Sequence, residues 1–364
     1  MVANKKIRVA IIGLQHLHPR GYMMLFQECE NAEVVCAYDS DTELLNAFCG
    51  EFGLKGYSNL NRMLEEQDLN MAAIFLPHSD CAEAAVKCAR RGLHLMIEKP
   101  VSDTLDGVRQ IAAVAEEFNV KLTTGYCWRY HPVVKAMKEI FQQGLIGRLV
   151  SVEARLSAGR VDRYVVGHSE WVLQKEKSGG GPMVNLGVHW LDLISYVTED
   201  AVAEVCTANL HTSDTYDIED SSLVLMKYAS GAAGTLTTSY IVPDSYPCGR
   251  DLYIGLRGTA GVLSYCPRYE GEQGGGGAPN TDILELYSSS PKMTGSAARQ
   301  YRFQLDPVAG YSGYMGKVYV ERFIEAIQQN RTPDIPADAA VSVLQTVEAI
   351  YESAEKNKWV GVKK

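Results

Sequence analysis

The stretch Ile7-Arg8-Val9-Ala10-Ile11-Ile12-Gly13-Leu14-Gln15-His16-Leu17-His18 decides the fold. Six mainly apolar residues read as a buried strand, and a glycine directly after them marks a tight turn into a helix. A strand, a glycine turn and a helix open a dinucleotide-binding unit, in which backbone N–H groups and the helix N-terminus meet a pyrophosphate. Only the first glycine of the usual G-x-G-x-x-G spacing is present. Gly13, Gln15, His16 and Leu17 are the turn residues assigned to the cofactor. Asp39 ends the next strand, where a carboxylate accepts hydrogen bonds from the adenosine ribose and repels a 2'-phosphate, which favours NAD over NADP. An aspartate after a strand is also ordinary turn chemistry.

Outward from this turn, the first third alternates short apolar runs with amphipathic stretches, the pattern of a parallel sheet wrapped by helices. Strands are expected at Ile7–Ile12, Glu33–Tyr38, Ala72–Leu76, Leu93–Ile97 and Lys121–Thr124. Cys81, Ala84, Ala85, Cys88 and Ala89 share one helical face that should lie on the sheet. From Arg148 the period becomes two, and further strand-like runs follow at Ser222–Tyr228, Gly234–Tyr240, Leu252–Arg257 and Val262–Tyr265. The expectation is an α/β protein: a doubly wound parallel sheet over residues 1–125, and over 126–364 an α+β domain with a large open, mostly antiparallel sheet. Gly274–Gly277 reads as a surface loop, and Ala340, Val343, Leu344, Val347, Ile350 and Tyr351 as the buried stripe of a final helix.

Composition narrows the function. A formal net charge of -9 argues against nucleic acid, because phosphate backbones need clustered Lys and Arg. Nine cysteines without a Cys-x-x-Cys pair suit neither a disulfide framework nor a thiolate zinc site. No apolar run reaches the roughly 18 residues that span a bilayer. Met1–Lys6 leaves no room for a leader, so the expected location is the cytoplasm. His16-x-His18 at a helix start is expected to point its rings apart, so no metal is assigned. Hydrogen bonding to phosphate or substrate, or helix capping, remains for these rings.

Glu98-Lys99-Pro100 directly follows a strand, placing an ammonium at the carboxyl end of a parallel sheet, where open α/β folds bind ligands. Downstream, Gly179-Gly180-Gly181-Pro182-Met183-Val184-Asn185-Leu186-Gly187-Val188-His189 reads as a close-approach loop entering a helix. Asn185 and His189, four apart, share a helical face, and Asp192 lies three further on, where it can hold the helix or the ring. Hydride removal from an alcohol requires loss of its proton, and histidine is the economical base. The bland alternative is a core histidine beside Trp190.

At these residues the chain resembles the glucose-fructose oxidoreductase / inositol dehydrogenase (Gfo/Idh/MocA) family. The resemblance also covers Gly125-Tyr126-Cys127-Trp128-Arg129-Tyr130-His131-Pro132, Gly144-Leu145-Ile146-Gly147-Arg148 and the tail around Arg331-Thr332-Pro333. It implies an N-terminal NAD(P)-binding Rossmann domain and a C-terminal α/β domain whose open sheet supports homodimers or homotetramers. It assigns hydride chemistry to Lys99 and His189, and it places Leu76, Pro77, His78, Glu98 and Lys99 beside the cofactor. Tyr126, Trp128, Arg129, Arg163, His168 and Trp171 become sugar contacts together with Asn185 and His189, although such residues also simply pack. Three positions depart from the pattern: Gln15 and His18 replace glycines, Leu76-Pro77-His78 replaces Thr-Pro-Asn, and Asn185 stands where many members carry Asp. The resulting expectation is NAD-dependent hydride transfer at a secondary hydroxyl of a sugar, cyclitol or glycoside, C3 of a glucosyl unit included. Two readings stay open beside it: redox-neutral glycoside cleavage with tightly bound NAD, and a non-catalytic sugar or dinucleotide sensor.

Overall fold

The computed structural model describes residues 6–243, 245–246, 249–267 and 282–363. The Gly274–Gly277 run lies outside them. The chain forms two compact units. One comprises residues 1–127, 162–179 and 307–344, the other 128–161, 180–306 and 345–364.

In the first unit β1 (Ile7–Ile12), α1 (Pro19–Glu28), β2 (Ala32–Tyr38), α2 (Thr42–Phe52), β3 (Lys55–Tyr57), α3 (Leu60–Glu66), β4 (Met71–Ile74), α4 (His78–Arg90), β5 (His94–Ile97), α5 (Leu105–Glu117) and β6 (Leu122–Thr124) follow in turn. The strands pair in the order β3-β2-β1-β4-β5-β6, all parallel. Strand order therefore reverses beside β1, and the turns after β1, β4 and β5 open at the carboxyl edge where such sheets take ligands. Local chemistry explains the helices. Pro19 starts α1, whose Tyr22, Met23, Leu25 and Phe26 are buried. Asp41 caps α2 by accepting from the amides of Glu43 and Leu44. The small-residue stripe of α4, Cys81 to Ala89, is buried as its spacing requires.

The second unit contains α6 (Pro132–Gln142) and β7 (Leu149–Ala158); the intervening helices α7 (Asp162–Val166) and α8 (Lys175–Ser178) belong to the first unit. There follow α9 (Val188–Thr198), β8 (Val202–Leu210), β9 (Ser221–Tyr228), β10 (Ala233–Ser239), β11 (Arg250–Gly258), β12 (Gly261–Tyr265), β13 (Asp282–Ser288) and β14 (Ala298–Phe303). α10 (Gly313–Gln328) belongs to the first unit, α11 (Ala337–Lys356) begins in the first and ends in the second, and β15 (Val360–Gly361) lies in the second. The nine-stranded sheet runs β14-β13-β12-β11-β7-β10-β9-β8-β15, with only β7 and β10 parallel. Along β9 buried Val224, Met226 and Tyr228 alternate with exposed residues, the signature of a sheet with one covered face. Among the described residues no helix is long and apolar enough to cross a membrane.

Candidate functional site

In the first unit the turn after β1 is drawn tight. Gly13 has φ +89, and a Cβ on it would sit 2.6 Å from the amide of Leu76, so no other residue fits. Asp39 is 2% exposed and accepts from the Leu14 amide at 2.6 Å and the Asp41 amide at 2.8 Å. It thus fastens the turn while standing at the end of β2. The amides of Gln15, His16 and Leu17 have no protein acceptor among the described residues. Unsatisfied donors ahead of a helix N-terminus fit a pyrophosphate, so the turn suits a dinucleotide even without its second glycine.

Side chains missing from the glycine-rich pattern fill this turn with rings. The expectation that His16 and His18 point apart does not hold: their centroids are 4.1 Å apart, edge to face. The cause is local, because the His18 amide donates to His16 Nδ1 at 3.2 Å and folds one ring onto the other. His18 also stacks on Tyr311 at 3.7 Å, and its Nδ1 lies 3.3 Å from Glu98 Oε2. Tyr311 and Glu98 thus join a turn that sequence spacing alone leaves isolated. Among the described residues no group of three or more His, Cys, Asp or Glu is arranged to hold a metal ion. Leu17 stays 38% exposed.

Residues 162–179 close over the same turn. The Trp171 indole donates to the Gln15 carbonyl at 2.7 Å, and its ring lies 5.7 Å from that of His16 and 4.8 Å from that of His78. Trp171 is 3% exposed, so its polar edge serves the turn. His78 opens α4 after Pro77 and Leu76, with Nδ1 2.7 Å from the Ser178 carbonyl. Burial pushes its pKa down to about 4. The unfolded chain therefore takes this proton first, from the ordinary 6.5 downward. Stability present above that pH is lost as pH falls from there toward about 4, by up to about 3 kcal/mol. Acid-dependent urea unfolding should show this slope, and His78→Gln should flatten it.

Lys99 and Glu98 stand at the carboxyl end of β5, 2% and 4% exposed. Burial lowers the Lys99 pKa from its ordinary value, Glu98 opposes the shift, and Arg163 adds to it. Arg163 lies over the Tyr164 ring and donates to its hydroxyl at 2.7 Å. His168 is exposed in left-handed backbone, φ +53. Tyr126 is 1% exposed, just after β6.

In the second unit the glycine loop does lead into a helix, but through a π turn over Met183–Gly187 before α9 begins. The Val188 amide reaches back to the Met183 carbonyl, and a Cβ on Gly187 would run into the Met183 sulfur. Such one-turn bulges shift the face on which following side chains emerge. Asn185 lies within the π turn and His189 in the first turn of α9. Each is 9% exposed, and the Asn185 amide donates to the Tyr240 hydroxyl at 2.9 Å. Asp192, read as holding either the helix or the ring, takes a forked pair from Arg129, Nε at 2.9 Å and Nη2 at 2.5 Å. A guanidinium matches a buried carboxylate in both charge and shape. Arg129, read as a sugar contact, is thereby a brace of α9. Trp128 packs edge-on against Trp190 at 5.0 Å and stacks on His131.

Sequence reading missed Glu219. Its buried carboxylate accepts from the amides of Gly181 and Met183, at 2.9 and 3.3 Å, and from the Tyr351 hydroxyl at 2.8 Å. It pins the glycine loop in front of the π turn, and a Cβ on Gly181 would overlap the Glu219 carbonyl. A lone Glu-Asp pair ahead of a strand carries no signal for this.

A six-stranded parallel sheet with a ligand-facing glycine turn and an aspartate closing β2 defines a dinucleotide-binding oxidoreductase domain. The NAD-binding Rossmann fold of an oxidoreductase family matches residues 7–126, and the GFO/IDH/MocA C-terminal domain matches residues 134–264. The chain belongs to the Gfo/Idh/MocA oxidoreductase family. It is 24% identical over 354 residues to D-xylose 1-dehydrogenase (NADP(+)) 2 of Haloferax volcanii, covering 95% of this chain and 96% of that one. It is 22% identical over 370 residues to D-apiose dehydrogenase of Paraburkholderia graminis, covering 99% and 90%. The WlbA dehydrogenase of Bordetella pertussis, solved with NADH and UDP-GlcNAcA, shares the fold with a TM-score of 0.80 at 20% identity, covering 99% of this chain and all of that one.

Proposed function

We propose that this protein is an NAD-dependent dehydrogenase acting on a secondary hydroxyl of a sugar, cyclitol or glycoside, with C3 of a glucosyl unit among the positions to test. The observation that carries the reading is Lys99, a buried ammonium at the carboxyl end of β5 in a dinucleotide-binding sheet. Curated relatives named for xylose and apiose oxidation support the substrate class. The dinucleotide, when bound, supplies the hydride acceptor. Lys99 holds the developing negative charge on the substrate oxygen, and His189 takes the hydroxyl proton. Asn185, an amide anchored by Tyr240, orients and does not relay a proton. Gly13, Gln15, His16, Leu17, Asp39, Leu76, Pro77, His78, Glu98 and Lys99 are the proposed cofactor contacts. Within residues 126–364, Tyr126, Trp128, Arg163, His168, Trp171, Asn185 and His189 are the proposed substrate contacts. The test is a panel of polyols, aldoses and glycosides with each dinucleotide, followed by nicotinamide absorbance. Silence across the panel with cofactor bound defeats the reading.

The proposed preference for NAD rests on Asp39. Its carboxylate would face a 2'-phosphate with like charge in a partly desolvated site, so the penalty is on the order of 1–2 kcal/mol. Asp39→Asn keeps an acceptor for the Leu14 amide and removes the charge. The NADP to NAD ratio of kcat/KM should rise about ten-fold; an unchanged ratio removes Asp39 from cofactor choice.

The nine-stranded sheet is the proposed self-association surface. Leu223 and Leu225 of β9 remain 45% and 50% exposed on the face opposite the buried residues. Leu225→Lys should shift the light-scattering mass toward a smaller species.

A further inference from the structure

Glu98 poses a chemical problem that hydride transfer by itself does not answer. Its carboxylate is 4% exposed, yet neither oxygen accepts a hydrogen bond among the described residues. Stripping a carboxylate of water costs several kcal/mol unless a cation or donor compensates it. The fold nevertheless keeps space for this group: a Cβ on Gly125 would lie 3.3 Å from both oxygens. Its partners are two. Lys99 is next in sequence, and Glu98 favours the charged form of that lysine. The other is His18, with Nδ1 3.3 Å from Oε2.

His18 is held for this task. Tyr311 stacks on one side of the ring at 3.7 Å, and His16 meets it edge to face at 4.1 Å. His16 Nδ1 accepts from the His18 amide, so the proton of His16 sits on its other nitrogen. Burial holds His16 well below its ordinary pKa, so it adds no charge beside Glu98. In the family pattern position 18 is a glycine, and no such ring is available there.

We infer that His18 is a positioning residue: its imidazole, in ion-pair range of Glu98 at 3.3 Å, holds that carboxylate beside Lys99, and Glu98 acts as the buried counter-ion that keeps Lys99 an ammonium. The inference rests on Lys99 being the charge-stabilising group of the proposed reaction. His18 acts on Lys99 through Glu98. Titratable or charged groups that also act on this cluster include Arg163 and Cys127 toward Lys99, His78 toward His16, Lys99 and Glu98, and Tyr22, Cys81 and Cys127 toward Glu98. Arg163 opposes the ammonium, while Glu98, ahead of Cys127, favours it.

The test needs no substrate. In the full-length protein labelled with 13Cε-lysine, the Lys99 resonance is assigned by its loss in Lys99→Arg and titrated with pH. Glu98→Gln should lower the Lys99 midpoint by at least about one unit. His18→Phe, which keeps the stack on Tyr311 but has no N–H, should lower it in the same direction. The double variant should match Glu98→Gln alone, and His18→Gln, which keeps an N–H donor, should restore much of the wild-type value. An unchanged midpoint in His18→Phe, or shifts that simply add, overturns the inference. If His18→Phe does not fold, 15N shifts of the wild-type imidazole decide instead: a protonated Nδ1 supports the inference, and a bare Nδ1 overturns it. Should Lys99→Ala retain full activity, the dehydrogenase reading fails while this titration still reports on His18 and Glu98.

Discussion

On the proposed mechanism Lys99→Ala should lower kcat about a thousand-fold and leave the dissociation constant for the dinucleotide within a few-fold of the parent. A positioned acid, base or charge contributes roughly 10²–10⁴ to a rate when it acts only as charge develops. The ammonium is asked to hold an oxygen that is neutral in the ground state and anionic in the transition state, so its removal falls on kcat. Lys99→Arg is no rescue, because a planar guanidinium does not replace a compact point charge in a closed site. The pH dependence carries a sign. Burial lowers the Lys99 pKa, and activity that needs the ammonium is complete below that lowered value and declines as pH rises through it. The alkaline limb of kcat/KM therefore lies below the ordinary lysine value of 10.5. An alkaline limb absent from the parent enzyme, or present unchanged in Lys99→Ala, assigns the chemistry elsewhere.

The sheet, the turn and the lysine were legible because each depends on local chemistry. Apolar runs of four to seven residues, Gly13 at positive φ and a lysine directly after β5 follow from neighbours in sequence. β3, β8, β13, β14 and β15 were not legible. Most residues of β8 are only half-buried, and β14 reads Ala-Arg-Gln-Tyr-Arg-Phe without a buried residue, so neither shows the apolar alternation of a covered strand. The site divides in the same way. Residue types were readable, but their partners were not, because Arg129 meets Asp192 across 63 positions and Trp171 meets Gln15 across 156. The π turn was hidden for another reason: its cause is Gly187 passing the Met183 side chain, a steric matter that periodicity does not encode.

Glu219→Leu tests whether the glycine loop is held from outside α9, the helix that carries the proposed base His189. A well-packed leucine in place of an isolated buried carboxylate can be neutral, since it removes a desolvated charge, and burial does raise the Glu219 pKa. Here the outcome differs, because the three donors remain: the amides of Gly181 and Met183 and the Tyr351 hydroxyl lose their acceptor together. Each orphaned buried donor costs about 1–3 kcal/mol, which gives a loss of roughly 3 kcal/mol or more. Urea unfolding should show a lower midpoint with an unchanged slope. Glu219→Gln retains one acceptor oxygen and should fall midway. The effect also reaches the chemistry, since Asn185 and His189 follow Met183 by two and six residues through the π turn. Loss of position on the order of 1 Å at a reacting group costs about a hundred-fold, so kcat should drop far more than KM rises. A variant that loses stability while keeping kcat would mean that the π turn holds His189 without help from Glu219.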